Sequence, residues 1–228
     1  MIFAPFIVLY GILLFLVLGF VFVLIEIGMI HYAFQMVGLP PDLAFLALLA
    51  SLIGSYINIP LTRMRSAGAH PMQVVNSFGV RYRVPTRYAG DGSTTIAINV
   101  GGAIVPILIS LYVLSIQPSA IVPAMIGVVI VSAVVNRFAR PVPGLGIATP
   151  MFIPPIIAAL SAWLLAGLIR SPHVDAIAYV SGVIGTLVGA DILNLRKIGD
   201  LGAPVASIGG AGTFDGVFLT GIVAVLLA

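Results

Sequence analysis

Two aspartates sit where an acid is costly. Asp191 lies in Gly189-Ala190-Asp191-Ile192-Leu193-Asn194-Leu195, and Asp215 in Ile208-Gly209-Gly210-Ala211-Gly212-Thr213-Phe214-Asp215-Gly216. Both stretches are otherwise small and apolar, and an ionisable group inside such a stretch calls for a functional reason. Residue 203, midway between the two acids, falls between Gly202 and Pro204, where a turn is expected. A hairpin turning there brings both carboxylates to one depth. Two carboxylates so close cannot both ionise cheaply, so the pair would share a proton. One acid and one base on a shared water is the arrangement of aspartic proteolysis. The same pair would equally bind a proton or sodium ion in a transporter. Asp191 and Asp215 are therefore the candidate catalytic residues. In the competing reading, Asp191 reaches the headgroups and pairs with Arg196 or Lys197.

Four residues are candidate supports. Asn194 stands three residues after Asp191, on the same face of a regular helix. Gly212 and Gly216 make a small-xxx-small pair suited to close helix packing. Asn99, within an apolar stretch, is expected to bond a neighbouring helix or face a cavity. A substrate path is expected at Pro143, Gly144, Gly146 and Pro150, because five prolines between 141 and 155 forbid regular helix through much of that stretch. Non-helical backbone at membrane depth is tolerated only inside protein or beside water, which implies a cavity open to the cytoplasmic side. Glu26 reads as an interfacial or water-facing acid, and His31, five residues on, is off its face. The three histidines are scattered and no HExxH occurs, so no metal site is expected. No cofactor is expected either.

These residues need a bilayer around them. Of 228 residues, 61% are hydrophobic and only 7% charged, against roughly 25% charged in a soluble domain. Mean hydropathy is +1.22. That balance excludes an ordinary cytosolic globule, a disordered tail and a nucleic-acid-binding domain. With no cysteine, disulfides, thiolate catalysis and Cys-ligated metals are excluded as well. The N-terminus lacks a basic region and its apolar run exceeds a signal peptide's, so it reads as a retained span.

Seven apolar segments are expected to span the bilayer: 5–32, 43–61, 95–114, 119–136, 149–169, 176–195 and 203–228. Nine of the ten basic residues fall in the loops after the second, fourth and sixth segments, and only Arg170 lies on the other side. This alternation places the N-terminus in the cytoplasm. The expected fold class is all-α, a polytopic transmembrane helical bundle in the cell membrane forming a single domain. No internal repeat is evident.

The one sizeable loop, 62–94, is expected to be cytoplasmic. Within it Val80-Arg81-Tyr82-Arg83-Val84 alternates with a strand-like period of two. It reads as a basic segment on anionic headgroups, or as an exposed strand able to pair with an extended peptide. Gly90-Asp91-Gly92-Ser93 precedes the third segment, with Asp91 or Ser93 expected as an N-cap.

The runs GADILNL (189–195) and GGAGTFDGVFLTG (209–221) resemble a bacterial and archaeal multi-pass membrane family of unknown function. A weaker resemblance is to the GxGD-type intramembrane aspartyl proteases. That resemblance implies one Asp on each of two adjacent helices near the cytoplasmic side, roles that match Asp191 and Asp215. The chain departs from that pattern in having Phe214 before Asp215, with Gly212 three residues back, and Gly189 two before Asp191. Three readings follow: an intramembrane aspartyl hydrolase acting on a transmembrane peptide, a proton- or sodium-coupled transporter or channel, and a non-catalytic membrane subunit. The hydrolase leads on the expected proximity of the acids. In each the partner is the lipid bilayer, with a peptide or small ion besides, and no nucleic acid.

Overall fold

The structure is a computed structural model that describes residues 4–65, 74–77, 80–83, 93–142, 146–198, 205–210 and 216–228. Helix α1 (Ala4–Met36) is apolar all round and exposed from residue 11 to 29. Its last turns are buried through Ile30, Ala33 and Phe34. Helix α2 (Pro41–Gly54) follows a tight turn at Gly38 and leads into strand β1 (Asn58–Arg65). Strands β2 (Val74–Ser77) and β3 (Val80–Arg83) pair antiparallel, Val75 opposite Tyr82. The alternating basic segment is therefore a strand that finds its partner within the chain.

Strand β4 (Ser93–Asn99) runs into a π turn (Val100–Ile104) and helix α3 (Val105–Ile116). A 3-10 turn introduces α4 (Ile121–Phe138). A short hairpin, β5 (Arg140–Val142) with β6 (Gly146–Ala148), leads to α5 (Ile153–Ile169). Helix α6 (Val174–Thr186) passes into a second π turn (Leu187–Asp191), a 3-10 turn (Ile192–Asn194) and the short α7 (Leu195–Ile198). Strand β7 (Val205–Ile208) and helix α8 (Gly216–Leu227) complete the order.

Helix α6 is the hub, packed against α3, α4, α5 and α8. Its backbone lies close on α4: a Cβ on Gly189 would come within 2.5 Å of the Ser132 carbonyl, and one on Gly185 within 2.7 Å of Val131 Cβ. The interior holds mainly small residues such as Ala124, Ala158, Ala162, Ala178 and Ala224, while Leu108, Leu111, Leu160, Leu164 and Leu168 face outward. Lipid tails are as apolar as leucine, so close small-residue packing inside and large apolar side chains outside are the membrane pattern. Helical segments Gly11–Met36, Pro118–Phe138 and Val174–Lys197 are long and apolar enough to cross a bilayer. Pro41–Gly54, Val100–Ile116, Ile153–Ile169 and Gly216–Leu227 are shorter apolar helices.

The chain is mostly helical, but the expectation of an all-α fold is corrected by a small sheet of order β1-β4-β7. β1 and β4 are antiparallel with an irregularity between Pro60 and Thr62, and β4 and β7 are parallel, Ile98 opposite Ile208. These strands occupy ground expected to be helical: the end of segment 43–61, the start of 95–114 and the start of 203–228. The cause is local. Thr94-Thr95-Ile96-Ala97-Ile98 is rich in β-branched residues, Pro60 resists helix, and Gly209-Gly210 stops β7. Ser93 consequently begins a strand instead of capping a helix, and Asp91 lies outside the described residues.

Candidate functional site

Asp191 closes the second π turn. Such a turn bonds residue i to i+5 and holds one residue more than an α turn, and it occurs frequently at functional sites. The wider bonding is visible at Ile192, whose N–H points to the carbonyls of both Leu187 and Val188. Two carbonyls in the turn are held by Asn194, whose Nδ2 donates to Gly189 O at 3.1 Å and Ala190 O at 2.9 Å. Lys197 Nζ in turn donates to Asn194 Oδ1 at 2.8 Å. Asn194 is fully buried and thus shapes the backbone beneath Asp191. Lys197, an expected partner of the acid, is engaged by this amide.

The acid meets the end of β7 instead. Gly209 N–H donates to Asp191 Oδ2 at 2.7 Å. Gly209 has φ +81°, and a Cβ there would fall 2.7 Å from Ala103 Cβ and 2.8 Å from Ala103 N. Glycine is required on both counts. One residue thus touches both π turns, the first through packing and the second through the carboxylate.

A cavity of about 350 Å³ opens beside Asp191, between the start of α5, the π turn of α6, β7 and the start of α8. Its polar lining includes Thr149, Thr186, Ser207 and Thr220 besides Asp191. Thr220 Oγ1 donates to Gly216 O, and Ser207 Oγ to Asn58 Oδ1. Thr186 is 3% exposed, and its Oγ1 has no hydrogen-bond partner among the described residues. The same holds for the hydroxyl of the fully buried Tyr179, whose ring is packed edge-on to Phe34.

Not every expected residue belongs here. Asn99 does not line the cavity. It is buried and caps the first π turn, its Oδ1 accepting from Gly102 N–H at 2.7 Å. Its Nδ2 donates to Ser55 O at 2.8 Å and to Asn58 Oδ1 at 3.1 Å. Glu26 is exposed on α1, and His31 pairs with Gln35. Thr149 and Met151, on either side of Pro150, line the cavity. Gly146 begins β6. Asp215, Gly212, Pro143 and Gly144 lie outside the described residues. Gly210 and Gly216, which bracket the segment holding Asp215, both line the cavity. Among the described residues no three His, Asp or Glu side chains gather as a metal-binding group.

Thr186 was missed by spacing arguments. Five residues in an α-helix set side chains about 140° apart, so Thr186 and Asp191 read as unrelated. The extra residue of the π turn is what turns both toward one cavity.

With this geometry described, comparison supplies a family. Residues 52–227 match the model for Protein of unknown function (DUF1614). The chain belongs to the DUF1614 family. The DUF1614 region contains both π turns, the three-stranded sheet and every residue lining the cavity, and it leaves out α1. No curated protein and no solved structure matches the chain.

Proposed function

We propose that this DUF1614 protein is a multi-pass cell-membrane protein, its N-terminus in the cytoplasm, that couples transport to a bound cation at Asp191. The observation that carries the reading is a line of polar groups along α6. Asp191 and Thr186 line the cavity, Thr186 holds a buried hydroxyl with no partner among the described residues, and Tyr179, outside the cavity, carries a second one seven residues further into the helix. Positions seven apart share a helix face. From Asp191 to Tyr179 the rise is about 18 Å, more than half of a hydrocarbon core about 30 Å thick. A hydrolytic site needs one chamber, whereas a transporter needs a route. Broken helices around an acid, with backbone freed from regular bonding, are the usual build of coupling-ion sites.

The test is ion uptake by the full chain in proteoliposomes, followed with radiolabelled sodium and a pH-sensitive dye. Uptake above protein-free vesicles is expected, falling to background in Asp191→Asn. Wild-type vesicles no faster than empty ones would reject the reading.

The aspartyl-hydrolase reading keeps one favourable observation, that Gly216, next to Asp215, shares the cavity with Asp191. It predicts cleavage of a transmembrane peptide that is lost in both Asp191→Asn and Asp215→Asn. Cleavage surviving either change would remove it.

A further inference from the structure

We infer that the groove between α5 and α8 holds an acyl chain of an anionic phospholipid, whose phosphate is bound by Arg170 at the end of α5. The inference rests on the multi-pass membrane reading and is independent of transport.

The groove measures about 400 Å³ and is lined by Ile156, Ala159, Leu160 and Trp163 of α5 and by Leu227 of α8. The four α5 positions follow the i, i+3, i+4, i+7 spacing of one helix face. Ala159 is buried, while Ile156, Leu160, Trp163 and Leu227 are exposed, so a small residue lies between large ones. All five are apolar, which suits a hydrocarbon chain. The same face continues two further turns through Gly167 to Arg170. A Cβ on Gly167 would meet no atom within 4 Å, so the path from Trp163 to Arg170 is open among the described residues.

Arg170 supplies the charge. It is the C-cap of α5, held left-handed at φ 55° and ψ 42°. Among the described residues it is the one non-glycine with positive φ. Glycine or asparagine usually takes such a cap, because a Cβ there is strained. An arginine therefore stands where glycine would fold more easily, which points to a task for its side chain. The helix dipole favours a cation anywhere in the last turn and does not ask for this strained position. Arg170 is exposed, and among the described residues its guanidinium has no hydrogen-bond or ion-pair partner, Asp175 in the first turn of α6 included. From Arg170 to Trp163 the rise is about 10 Å. A headgroup at the guanidinium would let its acyl chain run past Gly167 into the groove. Arginine meets phosphate with two parallel N–H donors. A phosphatidylcholine headgroup brings its own cation beside the phosphate, so charge complementarity selects an anionic lipid.

Trp163 is the chain's single tryptophan and is 58% exposed, so its fluorescence reports on the groove. The experiment is quenching of that fluorescence in the purified full-length chain in phosphatidylcholine vesicles. Dibrominated phosphatidylglycerol is added in rising fractions, with dibrominated phosphatidylcholine in parallel. The anionic lipid is expected to quench with about fivefold higher apparent affinity. Arg170→Gln should make the two lipids equal, and Arg170→Lys should keep the preference. Arg170→Gly should lose the preference yet unfold at no lower temperature than wild type, because it relieves the strained cap. Equal quenching by the two lipids in wild type, no quenching by either, or a preference that survives Arg170→Gln overturns the inference. Flotation of the vesicles keeps the two readings apart. A chain that does not float with lipid overturns both, whereas one that floats and shows no lipid preference overturns the site alone.

Discussion

The two π turns begin alike and end differently. Val100–Ile104 and Leu187–Asp191 are each five residues long, each adjoins an apolar helix, and both touch Gly209. Around the first, the polar groups are matched within the protein: Asn99 serves Gly102, Ser55 and Asn58, and Ser51 Oγ donates to Gly101 O at 2.7 Å. Around the second, Asp191 and Thr186 line a cavity, and the buried hydroxyl of Thr186 has no partner among the described residues. The same irregularity of backbone is a strut when its neighbours satisfy it and a site when they leave it open.

That contrast can be broken by substitution. The largest effect is expected for Asp191→Asn, which should bring ion uptake to background. Its stability in detergent, read by thermal unfolding, should drop by no more than about 1 kcal/mol, because an amide oxygen still accepts from Gly209. Asn99→Ala should do the converse. It strips three hydrogen bonds from a buried position, for about 3 kcal/mol of stability read by thermal unfolding, and leaves the uptake of the folded fraction intact. Full stability with lost uptake in Asn99→Ala would erase the distinction between the turns.

Gly209→Ala tests their junction. A Cβ would both strain φ +81° and strike Ala103, costing roughly 2 kcal/mol and displacing the amide that holds Asp191. Stability and uptake should fall together. Thr186→Val sharpens the contrast further. Removing a buried hydroxyl that has no partner among the described residues should leave unfolding within about 1 kcal/mol of wild type. The smallest effect is expected for Glu26→Gln on the exposed part of α1, within about 0.5 kcal/mol and without change in uptake.

Particular residues show how far the sequence could be read. Asp191 stood out because an acid among glycine, alanine and leucine is expensive wherever water is scarce. The proline-rich approach to α5 rightly pointed to irregular backbone, since β5, β6 and Thr149 replace helix there and Thr149 reaches the cavity. Strand β7, most of β4 and the first half of β1 were hidden inside apolar runs. Continuous apolar residues look the same whether they cross a bilayer as helix or pair as buried strands. Asn99 was noticed for its polarity, but its task depends on Ser55 and Asn58, more than forty positions away, which no spacing along the chain reveals.

Composition alone pointed to the surroundings: so few charges and so much apolar surface suit lipid, and local residue types set where helices break, because glycine, proline and β-branched side chains act on their own backbone. Tertiary structure decided what the breaks became. It carried Gly209 from the end of β7 to the carboxylate of Asp191, buried Asn99 into a cap and left the Thr186 hydroxyl without a partner among the described residues. Hydrogen bonds and cavities are made between segments distant in sequence, so their satisfaction is a property of the packed molecule and not of any stretch within it.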